Sequence, residues 1–422
     1  MGILQKFIRK SKKKIIAVLI KKRSEWLMIL FFLMSFQLYC LGFRRFEASG
    51  TSLKILIIGI DGADKEIIER LINSNDLPNI SSLIAKGEFY GLKPEDRWST
   101  SIWTSMLTGK KSNQHGIISF VGVNKYAQIV LSPPSYMRKT EALWDILTKK
   151  NIKSLFISFP CTWPVESING YMVSQIAIPK AFFYKNPNMV KKSLSQKFFS
   201  YYTRNCVSNS FKWDILTMIP PIEALIGEMN SLNIPVEFPF TNVMIEKKIV
   251  RGWYKKELQR IMHVYNIKKP IVLPYTTIFS LIDSKKLPLL SYISDKLSID
   301  IAIKIVKEDS QLEVVALYMP GLDIFQEYLL PDGRLNGFYK KNLQLIFNYY
   351  RFVDDTIGRL IKNLNKNTKI IIVSDHGIGI DLVKNISDIR EGIFICSEKI
   401  NLNKENIVPD EVFDIVLKIL NL

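Results

Sequence analysis

Two acids at the ends of apolar runs are the residues of this chain best placed to do chemistry. Residues 55–60 (Ile-Leu-Ile-Ile-Gly-Ile) lead into Asp61-Gly62, and residues 370–374 (Ile-Ile-Ile-Val-Ser) lead into Asp375-His376-Gly377. Each run reads as a buried strand, and in an open α/β sheet ligands sit in the crevice at the carboxyl ends of the strands. Two carboxylates and an imidazole brought together there form a donor set suited to zinc or manganese. Each segment also has a plainer reading, because an Asp-Gly pair after a strand is often only a turn, with Asp capping the next helix. A turn, however, needs no histidine, and the chain has only three: His115, His263 and His376.

Between the two segments lie residues 98–109, Trp-Ser-Thr-Ser-Ile-Trp-Thr-Ser-Met-Leu-Thr-Gly, dense in hydroxyls where a helix should begin. N-capping alone accounts for some of them. The chemical reading is that a hydroxyl at a helix N-terminus, next to a metal, ionises and attacks phosphorus while backbone N–H groups hold the phosphate oxygens.

The elements needed to position these groups follow from the pattern around them. From residue 53 strands and helices alternate, which predicts an α/β domain with a largely parallel central sheet and helices on both faces. Strands are expected at residues 53–60, 88–92, 152–159, 313–318, 369–373 and 392–396. Helices are expected at 65–74, 79–85, 100–108, 140–149, 339–364 and 411–420. In the longest of them Leu345, Tyr349, Val353, Ile357, Leu360 and Leu364 recur every three or four residues and face the core. Residues 51–181 and 274–422 thus form one domain. Residues 182–273 lack a buried-strand rhythm, are rich in aromatics and lysine, and read as a mostly helical insertion capping it.

The start of the chain has a different character. Of the net charge of +19, residues 1–50 carry +9, from 11 Lys/Arg against 2 Asp/Glu. The remainder is a mildly basic surface without an Arg/Lys-aromatic stripe, so no nucleic-acid partner is expected. Residues 26–43 are apolar and long enough for about 27 Å of helix, which just crosses a bilayer core. Nine Lys/Arg precede that run and Arg44 and Arg45 follow it, so the positive-inside rule puts residues 1–25 in the cytoplasm and the main domain outside. An uncleaved single-pass anchor is favoured over a cleaved signal peptide, which the long basic region and the bulky residues near any cleavage point oppose. Cys40 lies in the anchor, and Cys161, Cys206 and Cys396 have neither metal-ligand spacing nor the look of a disulfide framework.

Four segments in order resemble the alkaline phosphatase superfamily, in its branch of type I phosphodiesterases and nucleotide pyrophosphatases. They are the strand into Asp61-Gly62; Ser99 through Thr108-Gly109 with His115-Gly116-Ile117; Leu143-Trp144-Asp145-Ile146-Leu147 with the strand end Phe159-Pro160-Cys161-Thr162-Trp163-Pro164; and Ser374-Asp375-His376-Gly377. The resemblance covers residues 54–175 and 312–394. It implies two metal ions, usually zinc, and a Ser or Thr nucleophile forming a covalent phospho-enzyme that water or another acceptor cleaves. It places the nucleophile at Ser99, with Thr100 as the fallback. It assigns one metal, most simply zinc, to Asp61, Asp375, His376 and the Ser99 oxygen.

The second metal site departs from the family pattern. There an Asp is followed four residues later by His; here Asp323 is retained and Glu327 stands in the place of the His. The last family ligand, a His, aligns with Ile389, which cannot bind a metal. Three accounts stand. Asp323 and Glu327, one helical turn apart, can bind manganese, magnesium or calcium through oxygen. The second site can be empty, with one ion serving at reduced rate. Or chemistry is lost, and the fold survives as a non-catalytic pseudoenzyme that binds a phosphorylated ligand or partner protein.

The expected activity is therefore that of a membrane-anchored, metal-dependent phosphodiesterase or phosphoryl transferase acting outside the cytoplasm. Its location favours lipid- or glycan-linked phosphodiesters. Of the other polar residues, His115 reads as a structural group beneath the nucleophile helix, His263 as an ordinary insertion residue and Asp64 as a helix cap. Asp354 and Asp355 read as solvated or ion-paired acids on a long helix.

Overall fold

The computed structural model describes residues 52–123, 129–131, 133–186, 206–208, 215–236, 287–329, 340–377, 390–402 and 404–422. Its strands are β1 (Ile55–Ile60), β2 (Glu88–Leu92), β3 (Val121–Val123), β4 (Ile129–Leu131), β5 (Ser154–Ile157), β6 (Gly170–Val173), β7 (Val314–Met319), β8 (Lys369–Val373), β9 (Gly392–Cys396) and β10 (Asn406–Ile407). Among the described residues, eight form one sheet in the order β10-β2-β9-β8-β1-β7-β5-β6, while β3 and β4 pair separately. Within the sheet only β9 runs against its neighbours, β2 and β8; every other pairing is parallel. The expected largely parallel sheet is what forms.

Alternating side chains of the central strands bury both faces, as parallel strands require. On one side Leu56, Ile58 and Ile60 of β1, Val315 and Leu317 of β7 and Ile372 of β8 meet the helices Lys65–Asn73, Pro78–Lys86, Ala177–Lys185, Leu287–Glu308 and Lys340–Ile361. On the other, Ile55 and Ile57, Val314 and Ala316, and Ile371 and Val373 meet the helices Ser99–Thr108, Leu143–Lys149 and Pro409–Leu420. Register then sets the site. Ile60 pairs with Met319 and Gly59 with Val373. The residues just past these pairs, Asp61 on β1, Pro320 after β7 and Ser374-Asp375 after β8, leave the sheet side by side.

Several features depart from the sequence reading, among them strand β6 and the helix Gly321–Leu329, neither of which is among the expected strands and helices. The helix Leu287–Glu308 had no amphipathic stripe to reveal it, because 16 of its 22 residues are buried. It is enclosed by β7 and by the helices Ala177–Lys185, Gly321–Leu329 and Lys340–Ile361, and an enclosed helix needs apolar residues all round. Asp354 is not a solvated acid. It is buried and accepts from the backbone N–H groups of Asn79 (3.1 Å) and Ile80 (2.8 Å) and from the Asn79 side chain (2.8 Å). It thus caps the helix Pro78–Lys86, whose own N-cap, Leu77, has no side-chain acceptor.

Within 182–273, Val207 makes an antiparallel bridge to Val173 of β6. Ile215, Leu225 and Met229, on two short helices, join the same core as β1 and β7. Among the described residues no helix is long and apolar enough to cross a membrane. The segment 26–43, His263 and Ile389 lie outside them.

Candidate active site

The carboxyl ends of β1 and β8 are tied together before any ligand is considered. The backbone N–H of Ala63 donates to Ser374 Oγ at 2.8 Å, and the Ser374 hydroxyl donates to the carbonyl of His376 at 2.9 Å. His376 Nδ1 donates to the carbonyl of Gly377 at 2.9 Å. A carbonyl can only accept, so Nδ1 carries a proton and Nε2 faces the site, the usual arrangement of a ligating histidine.

Around Nε2 stand three carboxylates and one hydroxyl. Asp61 Oδ1 is at 3.3 Å, Asp375 Oδ2 at 3.5 Å and Asp323 Oδ1 at 3.8 Å. Ser99 Oγ is 3.2 Å away. The other oxygen of Asp61 accepts a short hydrogen bond from the Tyr318 hydroxyl, and the Tyr318 ring is held edge-on by Trp103 at 5.0 Å. Trp103 belongs to the helix Ser99–Thr108, so one aromatic contact fixes both the strand-end acid and the helix that bears the hydroxyl. Ser99 is the first residue of that helix. Its neighbour Thr100 is buried, with an Oγ1 that has no hydrogen-bond partner among the described residues.

The electrostatics of this cluster call for a cation. Burial would raise the Asp61 carboxyl, but the hydrogen bond and charge of His376 overcome it and hold the group below its ordinary range. Asp375 and Asp323 are pushed well up, first by burial and then by the charges around them: Asp61 in the first case, Glu327 and Asp61 in the second. Burial would lower the His376 imidazole, yet the surrounding carboxylates, Asp375 foremost, push it well above its usual value. Asp61 Oδ1 and Asp375 Oδ2 are buried and have no hydrogen-bond partner among the described residues beyond their approach to the imidazole. Donor atoms of Asp61, Asp323 and His376 lie within 4.8 Å of one another. Buried carboxylate oxygens gathered around an imidazole nitrogen whose proton a cation can displace are a donor set that a divalent ion fits.

Sequence reasoning divided the acids between two sites, with Asp323 and Glu327 apart from Asp61, Asp375 and His376. The structure brings Asp323 to the same imidazole as Asp61 and Asp375, while Glu327 is exposed. The cause is the strand order: β7 is the neighbour of β1, and the helix Gly321–Leu329 begins two residues after β7 ends. That helix packs closely on the turn after β1. Gly62 has φ +73°, and a Cβ there would stand 2.8 Å from Gln326 Nε2 and 2.9 Å from Asp323 Oδ1.

His115 lies beneath the helix Ser99–Thr108, as its sequence context suggested. Its Nδ1 accepts from the N–H of Ile117 at 3.1 Å, which leaves Nε2–H to donate to Ser105 Oγ at 3.0 Å. Burial lowers this imidazole to about 4, so it is neutral at physiological pH. Asp64 caps the helix Lys65–Asn73 through the N–H of Ile67. Tyr318, Gln326 and Tyr350 were missed by sequence reasoning. Gln326 donates to the carbonyl of Gly62 at 2.7 Å and accepts from the Tyr350 hydroxyl at 3.2 Å. The available signal was its position three residues after Asp323, on the same face of one helix.

Fold and site together place three acids, a histidine and a hydroxyl at the carboxyl edge of a mostly parallel sheet. Residues 55–380 match the family described as type I phosphodiesterase / nucleotide pyrophosphatase, and the chain belongs to that family. No curated protein matches it. Among solved structures it is similar to phosphonoacetate hydrolase from Sinorhizobium meliloti 1021 in complex with phosphonoformate, at 9% identity and a TM-score of 0.42, over 78% of this chain and 57% of that one. The chain thus spans little more than half the length of that enzyme. It is also similar to murine ectonucleotide pyrophosphatase / phosphodiesterase 5, at 10% identity and a TM-score of 0.47, over 88% of this chain and 95% of that one. A third is alkaline phosphatase PafA, at 12% identity and a TM-score of 0.40, over 78% and 63%.

Proposed function

We propose that the chain is a metal-dependent phosphodiesterase or phosphoryl transferase with Ser99 as its nucleophile. The observation that carries this reading is the Ser99 hydroxyl 3.2 Å from His376 Nε2, beside the orphaned oxygens of Asp61 and Asp375. Asp61, Asp375, His376 and the Ser99 oxygen would hold zinc or manganese, with Asp323 as a further oxygen donor. Such an ion supplies positive charge that lowers the pKa of the hydroxyl and offsets charge building on the phosphoryl group, a contribution of several kcal/mol.

The protein does the rest by position. Ser99 Oγ forms a bond to phosphorus as the bond to the leaving oxygen breaks, and water or another acceptor later displaces the serine. The first N–H groups of the helix Ser99–Thr108 face the phosphate oxygens, where the helix dipole favours negative charge. Tyr318 keeps Asp61 turned toward the imidazole, and the carbonyl of Gly377 keeps Nε2 free to act as a donor. Glu327, exposed and near enough to raise the Asp323 carboxyl, would with Asp323 hold any second ion, of manganese, magnesium or calcium type, which would offset charge on the leaving oxygen.

Residues 26–43 are proposed to anchor the chain once in the membrane, with residues 1–25 cytoplasmic and the domain outside. A phosphodiester in a lipid or surface glycan is then the proposed substrate class, and residues 182–273 would select it. The decisive test uses the full chain in detergent: metal content, hydrolysis of bis-nitrophenyl phosphate, and Ser99→Ala. A phosphoryl group trapped on Ser99 is the expected result, and its preferred acceptor separates hydrolase from transferase. A chain that carries no metal and shows no Ser99-dependent turnover would establish the non-catalytic binding role instead.

A further inference from the structure

Asp295 has no part in the chemistry above, yet it is a fully buried carboxylate in the helix Leu287–Glu308, among residues that are mostly apolar. Burying an acid is costly unless its oxygens are satisfied, and here both are. Oδ1 accepts from the backbone N–H of Gly321 at 3.0 Å, and Oδ2 accepts from the Tyr349 hydroxyl at 2.8 Å. Gly321 opens the helix Gly321–Leu329, two residues before Asp323. Burial pushes the Asp295 carboxyl up to about 8, so what it offers here is geometry rather than charge: the first N–H groups of a helix lack partners within it, and an acceptor oxygen at that point satisfies one of them.

What separates this contact from an ordinary cap is the residue it governs. Asp61, Asp375 and His376 extend directly from β1 and β8, whose places are set by sheet hydrogen bonds. Of the three acids only Asp323 reaches the cluster from a helix, so its position depends on how that helix is seated. The seating is close: a Cβ on Gly321 would stand 1.9 Å from Tyr349 Oη and 2.5 Å from Asp295 Oδ2. Farther along, Gln326 fastens the same helix to the carbonyl of Gly62, the residue after Asp61. Asp323 Oδ1 lies between these two attachments, 3.8 Å from His376 Nε2.

We infer that Asp295, backed by Tyr349, is a positioning residue that sets the reach of Asp323 into the cation cluster. The inference rests on the proposed reading of Asp323 as a metal donor. It has the chemistry expected of an outer-shell group: it touches neither ion nor substrate, and it acts through the helix that carries a ligand.

The test is the affinity of the full chain for manganese and zinc ions, measured by calorimetry alongside the metal-free melting temperature. Asp295→Ala should weaken binding by about 10- to 100-fold, the range typical of lost outer-shell support. Asp295→Asn, which keeps an acceptor for Gly321, should recover most of that loss, and Tyr349→Phe should show a smaller one. Because Asp295 acts through Asp323, Asp295→Ala added to Asp323→Ala should cost little more than Asp323→Ala alone. A melting temperature that falls while affinity stays unchanged would make Asp295 a helix cap and nothing more. Should Asp295→Ala fail to fold, wild-type affinity in both Asp295→Asn and Tyr349→Phe overturns the inference equally. A wild-type chain that binds neither ion removes the metal reading, and the positioning role with it; unchanged variants of a wild type that binds remove the role alone.

Discussion

The acids on β1 and β8 and the acid after β7 reach the same imidazole by different routes. Asp61 and Asp375 continue parallel strands and are turned inward by contacts at the strand ends: Tyr318 on one, the Ala63-Ser374-His376 hydrogen bonds on the other. Asp323 rides on a helix held at its start by Asp295 and five residues later by Gln326. Strand-borne ligands inherit the stiffness of the sheet, whereas a helix-borne ligand is only as well placed as its buried polar attachments. Glu327, which the family resemblance sets in the place of a histidine, is carried by that same helix.

The sharpest test of the half whose donors are complete is its nucleophile, which the start of the helix Ser99–Thr108 presents to the strand-end acids. Ser99→Ala should lower turnover by at least about 10³-fold and abolish phospho-enzyme, whereas Thr100→Ala should cost less than about tenfold. Equal losses for the two variants, measured by single-turnover kinetics, would show that the helix start rather than the Ser99 hydroxyl carries the chemistry. Next in size is a graded series in metal affinity. His376→Ala should weaken binding by several hundredfold, an amount equivalent to about 3–4 kcal/mol. Asp323→Ala should weaken it by about 10- to 100-fold and Glu327→Gln by less than about threefold. An effect of Glu327→Gln as large as that of His376→Ala would restore a full second site and break the comparison.

The supports can be compared in the same way. Tyr318→Phe frees one oxygen of Asp61 and should weaken metal binding by about tenfold, with the fold retained because the ring still packs on Trp103. His115, beneath the helix Ser99–Thr108, should report as a pH dependence. Its folded pKa, lowered to about 4 by burial, lies below the unfolded value of 6.5, so protonation favours the unfolded chain. The stability it contributes is present above pH 6.5 and is lost as pH falls toward 4. Relative to His115→Gln, wild type should lose about 3 kcal/mol across that window in denaturant titrations. A flat difference curve would mean that His115 is charged or exposed in the folded chain. Smallest, and confined to stability, is Asp354→Ala, which should cost about 2 kcal/mol and leave metal affinity unchanged.

Where the sequence was legible, local pattern and local physics coincided. β1 and β8 are buried on both faces, so they read as unbroken apolar runs, and the polar residues that end them mark the edge of the sheet. The helix Lys340–Ile361 shows its stripe because one side meets the core and the other meets water. Leu287–Glu308 shows no stripe along its whole length because its first nine residues are buried all round and only its second half, through residues such as Lys296, Asp300, Lys304 and Lys307, turns a side to solvent. Asp354 and Asp295 defeat sequence reasoning for a related reason: each satisfies the start of a helix remote from it in the chain, and no local signal records such a partner.

The residue types of the candidate chemistry, two strand-end acids, an adjacent histidine and a hydroxyl-rich helix start, are properties of the sequence alone, because strand length and burial dictate where such residues leave a sheet. So is the substitution of Glu327 in the family's pattern. Which acids share one imidazole was decided only in three dimensions. The order β8-β1-β7 brings Asp323 beside Asp61 and Asp375, and buried contacts from Asp295, Tyr349 and Gln326 hold it there. Strand order and the seating of a helix arise from contacts between residues distant in the chain, and short-range periodicity carries no information about them.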